Sequence, residues 1–121
     1  MNSVKQFEDL AIWKDARILV NEVYKAFYNL KDFSFKDQIQ RASVSVLSNV
    51  AEGFERNSTK DFMRFLYIAK ASCGEVRSMT YIGVDLNYLD KENSEAIQNK
   101  CRKLSISIYN LIKYLAPKHK S

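Results

Sequence analysis

Apolar residues recur every three or four positions in four separate stretches of this chain. When each stretch is drawn with 100° per residue, one face is apolar and the opposite face is polar or charged, which is the pattern of an amphipathic helix. The predicted helices span about residues 9–30, 36–54, 59–86 and 91–115. Four helices of similar length joined by short loops pack best in sequence order. We therefore predict an all-α, up-and-down antiparallel four-helix bundle, with residues 1–121 as a single domain.

Several residues mark the ends of these helices. Asp9 is the predicted N-cap of the first helix, and Asp90 or Asn93 that of the fourth. Ser58 followed by Asp61 resembles a capping box at the start of the third helix. Pro117 is predicted to end the fourth helix, because proline is common just beyond a helix C-terminus.

Composition supports a small number of long elements. The 121 residues include three glycines and one proline, too few for many tight turns. Cys73 and Cys101 fall on apolar helix faces without CxxC spacing, so we predict two reduced core thiols. No signal-like apolar run follows Met1, and no stretch approaches transmembrane length. We therefore expect a cytoplasmic protein with no membrane partner.

Motifs for catalysis or for metal and cofactor binding are missing from the sequence. His119 is the one histidine, and no Glu-x-x-His motif accompanies it. The serines of the second helix have no histidine partner, and no glycine-rich phosphate loop is present. We predict a protein that is not an enzyme and has no cofactor. The rival hypothesis requires a site formed across subunits, with Glu52 and Arg41 as candidates.

A polar strip follows the second predicted helix at three- and four-residue steps, so that its side chains can reach one another. Its members are Arg41, Ser45, Asn49, Glu52 and Arg56. One interpretation is a solvated face with a helix-end salt bridge, which contributes little to stability. The other is a polar network at a subunit junction or ligand surface.

The outward side of the third predicted helix is unusually apolar and aromatic. It carries Met63, Tyr67, Lys70, Gly74, Arg77 and Tyr81, with Arg64, Ile68 and Ile82 beside them. A packing face against a neighbouring subunit explains the isoleucines; a stacking and phosphate-contact surface for RNA explains the tyrosines and cations. On the second helix Val44, Leu47 and Ala51 also widen the apolar arc. Because exposed apolar patches mark interfaces, we predict a homo-oligomer.

Three segments carry a resemblance to a known family. Residues 7–14 (FEDLAIWK), residues 38–53 (QIQRASVSVLSNVAEG) with Arg56, and residues 65–69 (FLYIA) with Ser72 and Glu75 resemble the four-helix bundle proteins encoded by intervening sequences in bacterial 23S rRNA genes. The resemblance covers nearly the whole chain. Two departures are Gln40, where the family often has arginine, and Lys70-Ala71, where it often has Arg-Gly.

The resemblance implies a bacterial, homo-oligomeric bundle, pentameric in family members, that binds RNA or another nucleic acid. A related bundle is an accessory protein of diversity-generating retroelements, where it binds a reverse transcriptase. This gives the alternative function, a protein-binding scaffold or accessory subunit.

Charge agrees with the nucleic-acid interpretation but does not establish it. The formal net charge is +5, although fourteen acidic residues are spread along the chain. The predicted function is binding of nucleic acid, in particular structured RNA such as rRNA. The candidate contact residues are Arg64, Tyr67, Lys70, Arg77, Tyr81, Lys100, Arg102, Lys103 and Lys113, with Lys118 and Lys120 beyond them.

Overall fold

The structure, a computed structural model, describes residues 4–120, with side chains described for residues 4–118. A 3-10 turn at Phe7–Asp9 precedes four helices, and no strand occurs within the described range. The helices are α1 (Ala11–Ala26), α2 (Phe33–Phe54), α3 (Thr59–Asp85) and α4 (Lys91–Lys120). Each helix packs against the next, and α4 also packs against α1. The predicted all-α, up-and-down bundle is thereby confirmed.

The core comes from the four predicted apolar stripes. Leu19, Val46 and Leu66 are fully buried, and α4 contributes Ile108. The buried positions of α4 depart from a strict seven-residue repeat at their end, where Ile112 is buried and Leu111 only partly buried. An α-helix has 3.6 rather than 3.5 residues per turn, so a straight helix moves off a strict heptad pattern.

Helix α1 is shorter than the predicted 9–30, and Asp9 is not its N-cap. Asp9 belongs to the 3-10 turn, and the extended residue Leu10 precedes the helix with its own side chain buried. At the other end Phe27 leaves helical geometry at φ −112° while its ring packs at 5.7 Å from Phe35. Core packing therefore continues beyond the hydrogen-bonded helix, and the apolar period does not reveal where the helix ends.

Helix α2 begins at Phe33, three residues before the predicted start. Asp32 is its N-cap, and its carboxylate accepts a hydrogen bond from the Phe35 amide at 3.2 Å. The other carboxylate oxygen accepts from the Tyr88 hydroxyl at 2.7 Å, which joins the start of α2 to the α3–α4 turn. This bond lowers the pKa of Asp32 and raises the pKa of Tyr88.

Side-chain caps also mark α3 and α4. The Ser58 hydroxyl accepts from the Asp61 amide at 3.1 Å, as predicted, while the Asp61 carboxylate lies 3.5 Å from Arg64. Asp90, rather than Asn93, caps α4 by accepting from the Asn93 amide at 2.7 Å. Between the two helices Asn87 adopts φ 61°, and the Tyr88 amide donates to the Gly83 carbonyl at 2.8 Å. This is the hydrogen bonding of a Schellman motif, with asparagine in the left-handed position.

The prediction that Pro117 ends α4 is wrong, as is the predicted end at residue 115. The helix continues to Lys120 with Pro117 inside its last turns. Proline has a fixed φ of about −65°, which is helical, so the backbone can continue through Pro117, although the residue has no amide to donate to the carbonyl four residues earlier.

Helices α2 and α3 approach closely at Gly53. A Cβ added there would lie 2.7 Å from the Cβ of Phe65 and 3.1 Å from a ring carbon of Phe62. Only glycine allows this approach without movement of α3.

A buried polar cluster fixes α4 against α3. The Gln98 amide donates to the Thr80 hydroxyl at 2.9 Å and to the Ser94 hydroxyl at 2.8 Å. Thr80 in turn donates to the carbonyl of Arg77 at 2.6 Å. Because hydrogen bonds are directional, this cluster sets the register of the two helices next to the site described below.

Candidate functional site

The outer faces of α3 and α4 enclose a groove. A cleft of about 310 Å³ lies between Gly74 and Arg77 on α3 and Arg102 on α4. Ser105 and Ile106 line it and also line an adjoining cleft of about 280 Å³, which extends to Lys70 and Tyr109. The two clefts thus form one continuous feature, which we call the α3–α4 groove.

Glycine keeps the groove open at its centre. Gly74 lies in the middle of α3, where a Cβ would meet nothing within 4 Å. A glycine that packs against a neighbour, such as Gly53, shows the opposite environment. Gly74 therefore leaves open space in the groove, whereas Gly53 allows α2 and α3 to approach closely.

Each end of the groove carries a tyrosine in contact with cationic side chains. The Arg102 guanidinium donates to the Tyr81 hydroxyl at 3.2 Å and to the Asn99 side chain at 3.0 Å. At the other end the ammonium groups of Lys70 and Lys113 lie 5.9 and 5.4 Å from the Tyr109 ring centroid. Of the described residues that line the two clefts, none is acidic. The rim is therefore positively charged and carries aromatic rings.

The floor of the groove is neutral. Cys73 and Cys101 line it as free thiols and are almost completely buried. Burial raises the pKa of each thiol to about 12, so both are protonated at neutral pH. An apolar floor beneath a cationic rim suits a ligand that combines a flat ring with negative charge.

The structure brings five of the nine predicted contact residues together around this groove: Lys70, Arg77, Tyr81, Arg102 and Lys113. Tyr67 is exposed on the same face of α3, one turn before Lys70. The remaining three lie elsewhere. Arg64 pairs with Asp61 and stacks on Phe65, with 4.7 Å from the guanidinium to the ring centroid.

The other two predicted contacts face α1. Lys100 lies 3.2 Å from Glu22 of α1, and Lys103 lines a separate pocket that includes Asp15. Lys118 lies 3.8 Å above the Tyr114 ring, and the Lys120 side chain falls outside the described side chains. The basic residues of α4 are thus divided between two faces.

The polar strip of α2 does not form one network. Arg41 pairs with Asp37 at 2.9 Å, and Arg56 pairs with Glu52 at 3.1 Å, both within the helix and exposed. Between them Ser45 shares a hydrogen bond of 2.9 Å with Ser72 of α3. The Asn49 amide donates to both the carbonyl and the hydroxyl of Ser45. Arg56 also stacks on Phe65, 4.8 Å from its centroid.

Three α4 members of the groove were missed from the sequence. Ser105, Ile106 and Tyr109 follow Arg102 at three, four and seven residues, a spacing that places them near one another on α4. The signal in the sequence is a second stripe at three- and four-residue steps on the fourth helix, beside its core face. The contacts of Phe65 with the guanidinium groups of Arg56 and Arg64 depend on the turn between α2 and α3, which the sequence pattern does not predict.

Within the described residues, no group of three His, Cys, Asp or Glu side chains is placed to hold a metal ion. A search of the same residues finds no helix with the length and apolar character needed to cross a membrane.

Comparisons with known proteins identify a family and a solved structure of similar fold. A family model described as 23S rRNA-intervening sequence protein matches residues 8–115. A Bacteroides thetaiotaomicron protein of unknown function, from the S23 ribosomal protein family, has a similar structure with a TM-score of 0.80 at 23% identity. The similarity covers 85% of this chain and 99% of that chain, and at this identity it shows a shared fold alone. No curated protein matches this chain.

Proposed function

The chain belongs to the 23S rRNA-intervening sequence protein family, and from this premise we propose that it binds structured RNA, such as ribosomal RNA, along the α3–α4 groove. One observation carries the proposal: four cations and two tyrosines surround a single groove, and none of the described residues that line it is acidic. Phosphates are held by Lys and Arg, and bases stack on aromatic rings, so this combination matches nucleic acid.

Binding rather than catalysis is the proposed activity. The Ser43 hydroxyl donates to the Gln40 carbonyl, and the Ser45 hydroxyl is shared with Ser72. Glu52 is engaged by Arg56 of its own helix. These side chains take part in packing and helix contacts, which supports a non-enzymatic role. The free thiols support a location in the cytoplasm.

Charge-matched double variants test which face binds. We expect R77Q/R102Q to weaken binding of a 23S rRNA fragment, measured by fluorescence anisotropy across a salt series. With four phosphate contacts on a single strand, the slope of log K against log salt is about −3, and removal of two contacts brings it to about −1.5. K14Q/K25Q on α1 changes net charge equally and should leave the slope unchanged.

Two results would contradict the proposal. If K100Q/K103Q reduces the slope and R77Q/R102Q does not, RNA binds on the α1 side of α4 and the proposal is wrong. If the tagged protein recovers proteins but no RNA from its host, and no rRNA fragment binds at low salt, the alternative of a protein-binding accessory subunit replaces it.

We further infer that the chain assembles with copies of itself, as a pentamer by family resemblance. The α2 surface contributes less to this argument than its sequence indicated, because Leu47 packs against the core. Support comes from α3, where Ile68 and Ile82 are 41% and 48% exposed. Both lie seven residues from Glu75 and therefore on the same side of α3. The Glu75 carboxylate accepts a hydrogen bond from the Gln38 amide of α2. Ile68 and Ile82 thus border the contact between α2 and α3 rather than the groove.

Light scattering coupled to size exclusion measures the mass directly. The inference predicts about five times the 14.1 kDa of one chain, and I68E/I82E should reduce this mass because charges cannot be buried unpaired at an interface. A 14.1 kDa species of the unmodified protein at working concentration contradicts assembly.

A further inference from the structure

The width of the α3–α4 groove limits which form of nucleic acid can enter it. Packed neighbouring helices have axes about 8–10 Å apart, so the groove between them is narrow. An A-form RNA duplex keeps its bases stacked inside and contacts proteins through its phosphates and 2′-hydroxyls. A duplex therefore rests on the rim, and only an unpaired nucleotide reaches the floor beside Gly74. The cleft there, about 310 Å³, is open because Gly74 has no side chain and nothing lies within 4 Å of its Cβ position.

We infer that the groove takes an unpaired base from a single-stranded segment, such as a loop or bulge, with its ring over Gly74. Arg77 and Arg102 then contact the flanking phosphates from the two rims. This inference rests on the proposed function and specifies its ligand as single-stranded rather than paired nucleic acid.

The chemistry of the floor fits a base ring. The exposed side chain of Ile106 presents apolar surface, and burial of a flat ring against it requires no new charge pair. On the rims Arg102 is held by its bonds to Tyr81 and Asn99, so its guanidinium is already positioned. A positioned cation loses less conformational entropy on binding than a free one.

The length of the groove indicates a short footprint. Lys70 and Tyr81 are eleven residues apart on α3, about 16 Å, or about five nucleotides stacked at 3.4 Å. Among the described residues that line the clefts, only Ser105 and Tyr109 carry a hydroxyl group, and no amide side chain is present. Bases are told apart by hydrogen bonds to their edges, so we expect weak sequence preference.

The test compares strands of equal length with and without pairing. Labelled 12-nucleotide RNAs, the perfect duplexes made from them, and duplexes with a two-nucleotide bulge are titrated with the purified protein by fluorescence anisotropy. The same single strands made of DNA show whether the 2′-hydroxyl contributes. We expect single-stranded and bulged RNA to bind about tenfold or more tightly than the perfect duplex, the scale of one stacked base.

Gly74→Leu fills the cleft. Leucine has a higher helix propensity than glycine, so we expect the variant to fold, which circular dichroism and Tm measure. It should weaken binding of single strands about tenfold and leave binding of duplexes unchanged. Ala71→Leu, which adds the same side chain to an exposed position of α3 outside the groove, is the matched control. Equal affinity for duplex and single strand, or full binding by Gly74→Leu, overturns the inference while the proposed function stands. Absence of binding to every nucleic acid refutes the proposed function itself.

Discussion

The two glycines Gly53 and Gly74 should respond oppositely to the same substitution. A methyl group added at Gly53 lies 2.7 Å from the Cβ of Phe65, whereas carbon atoms prefer a separation of about 3.5–4.0 Å. The helices must therefore separate by about 1 Å, and such overpacking costs about 1–3 kcal/mol. Better helix propensity returns up to about 1 kcal/mol, which leaves Gly53→Ala less stable by about 1–2 kcal/mol.

Gly74→Ala gains the helix propensity without the clash, because its Cβ meets nothing within 4 Å. We expect it to be more stable by about 0.5–1 kcal/mol. Thermal unfolding followed by circular dichroism at one protein concentration should give a Tm about 4–8 °C lower for Gly53→Ala and about 2–4 °C higher for Gly74→Ala. If Gly53→Ala unfolds at or above the wild-type Tm, α2 and α3 do not approach as described.

Three further predictions concern the turn and the ionisable groups. Asn87 has φ 61°, so Asn87→Gly should raise the free energy of unfolding by about 0.5–1 kcal/mol and Asn87→Ala should lower it by about 1 kcal/mol; equal stability of both variants in urea contradicts the left-handed turn. The pKa values of Cys73 and Cys101 rise from 9.0 to about 12 on folding, so stability should fall as pH rises above 9, by up to about 1.4 kcal/mol per pH unit for each thiol. C73A/C101A should lose this part of the alkaline slope in urea titrations at pH 8 to 11, and an unchanged slope refutes it. The hydrogen bond from the Tyr88 hydroxyl lowers the pKa of Asp32. Its contribution to stability is therefore present above pH 3.8 and is lost as pH falls through the lowered pKa. Tyr88→Phe should therefore be less stable at neutral pH and differ less from wild type in acid.

The core could be predicted from sequence because burial imposes a period. Ala16, Leu19 and Val23 repeat at helical spacing along α1, and all three are fully buried. Helix ends depend on local geometry that the period does not contain. The ring of Phe27 is buried although its backbone has left the helix, and Pro117 fits within a helix that it was expected to end.

Only the α3 side of the groove could be predicted from the sequence. Lys70, Arg77 and Tyr81 share a face of α3 by spacing alone, and the sequence places them together. Which residues of α4 meet them depends on the rotation of that helix, which is set by the buried bonds of Gln98 and Thr80. The same limit applies to Ser45, whose partner Ser72 lies twenty-seven residues away on α3.

Photocrosslinking tests the central claim, that nucleic acid occupies the α3–α4 groove, most directly. The purified protein is irradiated with single-stranded RNA that carries 4-thiouridine, and the crosslinked peptides are identified by mass spectrometry. The account predicts crosslinks at Tyr81 and Tyr109, at the two ends of the groove, and their loss in Gly74→Leu but not in Ala71→Leu. Crosslinks confined to α1 or α2, or crosslinks at the groove that persist unchanged in Gly74→Leu, would contradict it.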